Sequence, residues 1–274
     1  MSSLFDLTGK VAIVTGSTKG IGAGIARRFV EHGAKVVITS RSQADCEATA
    51  GALNQELGRE ATLGQASDLS DRDSLKRLVE TAVRRFGGLD ILVLNAAKTD
   101  VLGTAGQTPA ADFLAMLGAN VVNNTELALA AHPHLLERGG GSVIFIGSVA
   151  GTGASATVSA YSVCKRALMQ VVDNLALEWG RQNIRVNAVV PGLTMTEDTR
   201  RFWEAPQVNA AFVARIPLGR WVQPDEIAAA CLWLATDGGA AVTAQKIVVD
   251  GGLTIRGASE PPADFKALTE AAGG

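Results

Sequence analysis

Three residues of this chain have the types and spacing for general acid–base work: Ser148, Tyr161 and Lys165. Tyr161 is the only tyrosine, and Lys165 follows it by four positions, which puts phenol and ammonium on one face of a helix. A positive charge beside a phenol stabilises phenolate. The spacing therefore predicts a tyrosine pKa below its reference of about 10, and with it a proton donor usable near neutral pH. Ser148 closes Ile146-Gly147-Ser148 at the end of an apolar β-branched run, where a hydroxyl stands at a strand terminus. Taken singly, each has an ordinary alternative: a strand-end hydroxyl, a half-buried core tyrosine, a solvated helix lysine.

The set gains weight from what precedes it. Gly16-Ser17-Thr18-Lys19-Gly20-Ile21-Gly22 follows a short apolar strand and opens a helix. Glycines at such a turn let the backbone approach a pyrophosphate, whose charge the helix N-terminus favours. The spacing of the first two glycines departs from the G-x-G-x-x-G fingerprint. At the end of the second strand, where an NAD site commonly carries an acid for the ribose 2′-hydroxyl, stands Thr39-Ser40-Arg41. Arg41 and Lys19 offer two cations, with the neighbouring hydroxyls of Ser40 and Thr39, where NADP carries its extra phosphate. NADP(H) is the expected cofactor. Asp68-Leu69, beyond the third strand, offers an acceptor for the adenine amino group, and Asn95, ending the fourth, lies across the crevice from Gly16.

These residues need a scaffold that brings strand ends together. Strand patterns fall at 10–15, 35–40, 61–66, 90–94, 142–146, 184–190 and 246–249; helical periodicity fills 21–32, 43–57, 71–86, 109–136, 158–180 and 224–235. Strands apolar on both faces, such as Val11-Ala12-Ile13-Val14, suit a parallel sheet covered on each side by helices. The alternation runs without a linker, so residues 1–255 read as one doubly wound α/β domain and 256–274 as an appended tail. With 274 residues, 19% charged, and a net charge of −2, there is no positive field to drive nucleic-acid binding. No apolar run has the length of a membrane span and no signal-peptide stretch opens the chain, so the cytoplasm is the expected location. Cys46, Cys164 and Cys231 are too scattered for a disulfide framework or a zinc pair, and His32, His132 and His134 assemble no ligand set, so no metal is expected.

Over about 10–253 the sequence resembles the short-chain dehydrogenase/reductase family. The match is carried by Thr15-Gly16-Ser17-Thr18-Lys19-Gly20-Ile21-Gly22, by Ser148, and by Tyr161-Ser162-Val163-Cys164-Lys165. The resemblance implies a Rossmann-type seven-stranded parallel sheet and hydride transfer between nicotinamide and a carbonyl carbon. Tyr161 would give the proton, Ser148 orient the oxygen, and Lys165 bind the nicotinamide ribose. Asn120 would hold a water linking Lys165 to solvent. It also implies that Asn95-Ala96-Ala97 lines the cofactor, that Pro191-Gly192 and Thr194 meet the carboxamide, and that the protein is a homotetramer acting on a small-molecule carbonyl or alcohol. Two positions depart from the family: alanine replaces a usual glycine in Asn95-Ala96-Ala97, implying a crowded loop, and Thr243-Ala244-Gln245 lacks another. Within this chemistry the leading expectation is a ketone or aldehyde reductase, reversible as an alcohol dehydrogenase. The alternatives are a 3-oxoacyl thioester reductase acting on a carrier protein and a catalytically silent dinucleotide-binding scaffold. Enoyl reduction in the family uses a wider Tyr-to-Lys step. Substrate is expected between residues 98–108, 149–157 and 193–213, the last an aromatic-bearing lid with Phe202, Trp203 and Phe212.

Overall fold

The computed structural model describes residues 4–99, 103–155 and 158–255. The 256–274 tail, Ala156 and Thr157 of the second substrate loop, and positions 100–102 of the first lie outside them.

Seven strands, β1 (Val11–Thr15), β2 (Lys35–Thr39), β3 (Thr62–Gly64), β4 (Ile91–Leu94), β5 (Gly141–Ile146), β6 (Ile184–Pro191) and β7 (Lys246–Val249), form one sheet in the order β3-β2-β1-β4-β5-β6-β7. Every pairing is parallel. The order reverses between β1 and β4, and ligands of such sheets bind at that crevice, outside the strand C-termini.

Alternation along β1 shows why the sheet needs cover on both sides. Val11 and Ile13 enter one core with Leu78 and Leu92, while Ala12 and Val14 enter the other with Ile25 and Phe29. The first face is covered by α3 (Arg72–Phe86), α5 (Asn124–Glu137) and α6 (Ser159–Trp179); the second by α1 (Gly20–Glu31), α2 (Gln43–Leu57) and α9 (Pro224–Ala235). Local chemistry sets several helix ends. Asp71 accepts from Asp73 N and Ser74 N at the start of α3, Ser42 accepts from Asp45 N at α2, and left-handed Gly58 and Gly87 close them.

Three elements differ from the sequence expectation. The third strand is shorter than 61–66, because side chains take part of its ladder: Asn54 Oδ1 accepts from Ala61 N and Thr62 N, and Gln43 Oε1 from Ala66 N. The long helix expected over 109–136 is divided into α4 (Ala110–Leu117), a π-helical turn (Gly118–Asn123) and α5. Side chains hold the turn open: Asn124 Nδ2 donates to Asn120 O at 3.0 Å and Thr125 Oγ1 to Val121 O at 2.8 Å. The lid folds as two further helices, α7 (Arg200–Trp203) and α8 (Pro206–Val213).

Candidate active site

Ser148 follows β5 with extended backbone, and its hydroxyl accepts from Ala150 N at 3.1 Å. The turn after it is pressed onto α6. A Cβ on Gly151 would stand 2.8 Å from Lys165 C and 2.9 Å from Arg166 N, so only glycine lets the Ser148 turn meet the helix that carries Tyr161 and Lys165. Lys165 is buried; its ammonium donates to Ile146 O at 2.6 Å and lies 5.4 Å from the centre of the Tyr161 ring. The three residues singled out by type and spacing thus meet at the C-terminal end of β5.

The expectation of a lowered tyrosine pKa is corrected. Burial pushes the Tyr161 phenol up to about 12, while the neighbouring Ser148 hydroxyl pulls the other way. Burial also draws Lys165 down to about 8. Spacing places the ammonium beside the ring, but Nζ is committed to Ile146 O, and desolvation is the leading cause of both shifts. Tyr161 as a whole is half-buried.

Asn120 lies within the π-helical turn, fully buried. Its Oδ1 accepts from Lys98 N at 2.6 Å and its Nδ2 donates to Lys98 O at 2.9 Å, so it clips the loop after β4 to the helix facing α6. π-turns occur often at functional sites, and this one displaces Asn120 from regular helical register. Cys164 packs with Met116 and Ala160, and burial raises its thiol pKa.

The glycine-rich turn is tightly built. Gly16 and Gly20 have φ of +64° and +56°, and a Cβ on Gly22 would stand 2.2 Å from Gly16 O. The α1 N-cap, Lys19, makes no side-chain capping bond, which suits an anionic group at that helix end. The residues present therefore fit a dinucleotide pyrophosphate. Thr18 and Ile21 lie half-buried on this turn. Ser17 is buried and serves the scaffold: Oγ accepts from Thr39 N at 2.9 Å. Asn95 crosses from β4 as expected, its Nδ2 donating to Thr15 O at 2.8 Å and Gly16 O at 3.1 Å. Thr15 Oγ1 receives both Asn95 N and Ala96 N at 2.9 Å, a role the sequence reading missed although Thr15 opens the motif. Ala97 is half-buried on the same loop.

Arg41 is exposed beyond β2 with half-buried Ser40 before it. Its charge reaches Asp68, whose carboxyl is held below the usual range mainly by the Ser70 hydroxyl and N–H, both on Oδ1. Leu69 O accepts from Asn123 Nδ2 at 2.8 Å. Pro191 ends β6, and Thr194 Oγ1 donates to Gly192 O at 3.0 Å. The lid that follows is bracketed by backbone, Met195 N donating to Val222 O and Val222 N to Leu193 O, each at 2.9 Å. Phe212 meets Phe202 edge to face within the lid and Trp221 edge to face beyond it, which fastens the lid to the body, while Trp203 Nε1 donates to Thr196 O inside the lid. Glu197 pairs with Arg200 on the surface. Lys19 Nζ meets Asp198 Oδ1 at 2.6 Å, a contact no sequence pattern signalled. Among the described residues no group of three or more His, Cys, Asp or Glu is arranged for a metal, and no helix is long and apolar enough to cross a membrane.

A phosphate-type turn at β1, a crevice beside β4 and an acid–base group over β5 define a nicotinamide-dependent oxidoreductase. The family model described as Enoyl-(Acyl carrier protein) reductase matches residues 16–254. Dehydrogenase/reductase SDR family member 4 of Bos taurus is 36% identical over 247 residues, 90% of this chain and 88% of its own. A gluconate 5-dehydrogenase from Burkholderia cenocepacia J2315, solved in complex with NADP and tartrate, has a TM-score of 0.87 at 30% identity, covering 92% of this chain and 98% of its own. A 7α-hydroxysteroid dehydrogenase complexed with NADH and 7-oxo glycochenodeoxycholic acid has a TM-score of 0.86 at 30% identity with the same coverage. The chain belongs to the short-chain dehydrogenase/reductase family.

Proposed function

We propose that this protein is an NADP(H)-dependent oxidoreductase interconverting ketones and secondary alcohols, with Tyr161 as general acid and base. The observation that carries the reading is the meeting of Ser148, Tyr161 and Lys165 at the end of β5, beside the crevice between β1 and β4. Bound nicotinamide would supply or accept the hydride. Tyr161, a neutral phenol up to a pH of about 12, donates its proton to the carbonyl oxygen in reduction and takes it back in oxidation. Ser148 donates to the same oxygen and fixes its place. Lys165, held at Ile146 O and drawn by burial to a pKa of about 8, would bind the cofactor's ribose. Asn120, with its side-chain amide spent on Lys98, would act by fixing the loop after β4.

Support for NADP(H) over NAD(H) comes from Lys19 and Arg41 at the adenosine end, with no acid at the tip of β2. The gluconate dehydrogenase neighbour holds NADP, and the hydroxysteroid dehydrogenase neighbour holds NADH, so the preference rests on this chain's own cations. The test is Tyr161→Phe with NADPH and a panel of an aryl ketone, its carboxylated analogue and an acetoacetyl thioester. The variant should lose at least about 100-fold in kcat while binding NADPH as wild type does. Retention of more than a tenth of wild-type turnover on any substrate overturns the general-acid role. A clear advantage for the thioester moves the function to carrier-bound acyl reduction.

A further inference from the structure

Lys19 stands on the cofactor turn, and Asp198 lies in the 3-10 turn Glu197–Thr199 at the start of the lid. Their side chains, 179 positions apart in sequence, meet at 2.6 Å. The contact is supported on both sides. Thr196 Cγ2 lies 3.4 Å from where a Cβ on Gly20 would stand, so the lid's first residues rest against the cofactor turn itself. Thr196 and Thr199 form a reciprocal capping box, and the backbone bonds to Val222 fix the segment's origin. Glu197 is engaged by Arg200, which leaves Asp198 as the acid of this turn that faces Lys19.

We propose that Asp198 is a specificity-determining residue that tempers the preference for NADP(H) by holding the lysine that would otherwise go to the 2′-phosphate. The inference rests on the assignment of Lys19 to that phosphate. An ammonium already bonded to a lid carboxylate is held in place and partly neutralised, so it offers a phosphate less than a free one would. A phosphate carrying close to two charges is the stronger partner, so Lys19 transfers to it, but the bond to Asp198 is given up in doing so. NAD(H) makes no such demand and leaves the pair intact. The same exchange removes one surface tie between the lid and the cofactor turn when the phosphorylated cofactor binds. The ion pair thus links cofactor identity at one end of the site to the element that covers substrate at the other.

Lys19 and Asp198 side chains are 61% and 67% exposed, so water and salt weaken the pair. The expected effect on affinity is about two- to fivefold. Dissociation constants for NADPH and NADH are measured by fluorescence titration at low salt on the full chain, for wild type, Asp198→Asn, Lys19→Met and the double variant. Asp198→Asn should tighten NADPH about two- to fivefold and leave NADH unchanged, and the gain should vanish in the Lys19→Met background. If Lys19→Met lowers the NADPH preference but Asp198→Asn leaves it unchanged, Asp198 has no part in specificity while the cofactor assignment stands. If Asp198→Asn raises the preference equally with Met at position 19, the carboxylate acts by direct repulsion and the competition is refuted. If neither Lys19→Met nor Arg41→Ala alters the preference, the cofactor assignment falls and the inference with it.

Discussion

Replacing Lys165 by methionine should make the cofactor-free protein more stable at neutral pH while removing its activity. In the folded chain burial draws Lys165 from 10.5 to about 8. Between those values the unfolded chain holds a proton that the folded chain has released, so stability rises with pH through this window and is lowest below about pH 8. Integrated over the shift, the burden is on the order of 3 kcal/mol. Lys165→Met keeps most of the buried volume and removes the charge, but strips Ile146 O of its donor, at a cost of about 1 kcal/mol. The variant should therefore exceed wild type by about 2 kcal/mol at pH 7 and lose that advantage by about pH 10. Urea unfolding at half-unit steps from pH 7 to 10 measures both. The buried Cys231 thiol, raised by desolvation, adds an opposite slope above its unfolded value near 9, but it does so in both proteins. Parallel stability curves for wild type and variant would refute the claim that Lys165 is held at an energetic cost for catalysis.

Two further outcomes follow from the backbone. Gly22→Ala places a methyl 2.2 Å from Gly16 O and 2.6 Å from Asn95 Nδ2, so the cofactor turn must shift; NADPH titration should show at least about a tenfold loss of affinity, and calorimetry a lowered Tm. Ala244 sits at φ +59°, a left-handed conformation, where the family usually has glycine; Ala244→Gly should stabilise by about 0.5 to 1 kcal/mol, read as a Tm rise of about 1 to 3 °C.

The parallel sheet was legible because its strands are apolar on both faces, and the acid–base residues because type, spacing and the preceding strand agreed. What escaped the sequence depends on contacts between distant segments. Nothing near Asn120 marks a π turn, since it is held by Asn124 and Thr125 reaching back to carbonyls within the folded helix. The sign of the Tyr161 shift is hidden from the sequence for a related reason. Four-residue spacing reveals a neighbouring charge, but burial is a property of everything packed around the pair, and here burial dominates. Period alone carries the third strand past its ends because it does not show that Asn54 and Gln43 take backbone donors there.

These contacts divide the site into two parts with different tolerance to change. Residues nearest the chemistry are tied to backbone: Lys165 to Ile146 O, Asn120 to both polar groups of Lys98, Asn95 to Thr15 and Gly16. Displacing any of these leaves a polar group without its partner in the interior, the costly outcome for a buried site. The lid's charged contacts lie at the surface, Lys19 with Asp198 and Arg200 with Glu197, and each is worth at most about 1 kcal/mol. Its firmer anchor is the aromatic stack on Trp221. Changes in residues 197–213 are therefore the route by which this scaffold can alter which substrate it accepts, because they leave undisturbed the bonds that set the geometry of Ser148, Tyr161 and Lys165.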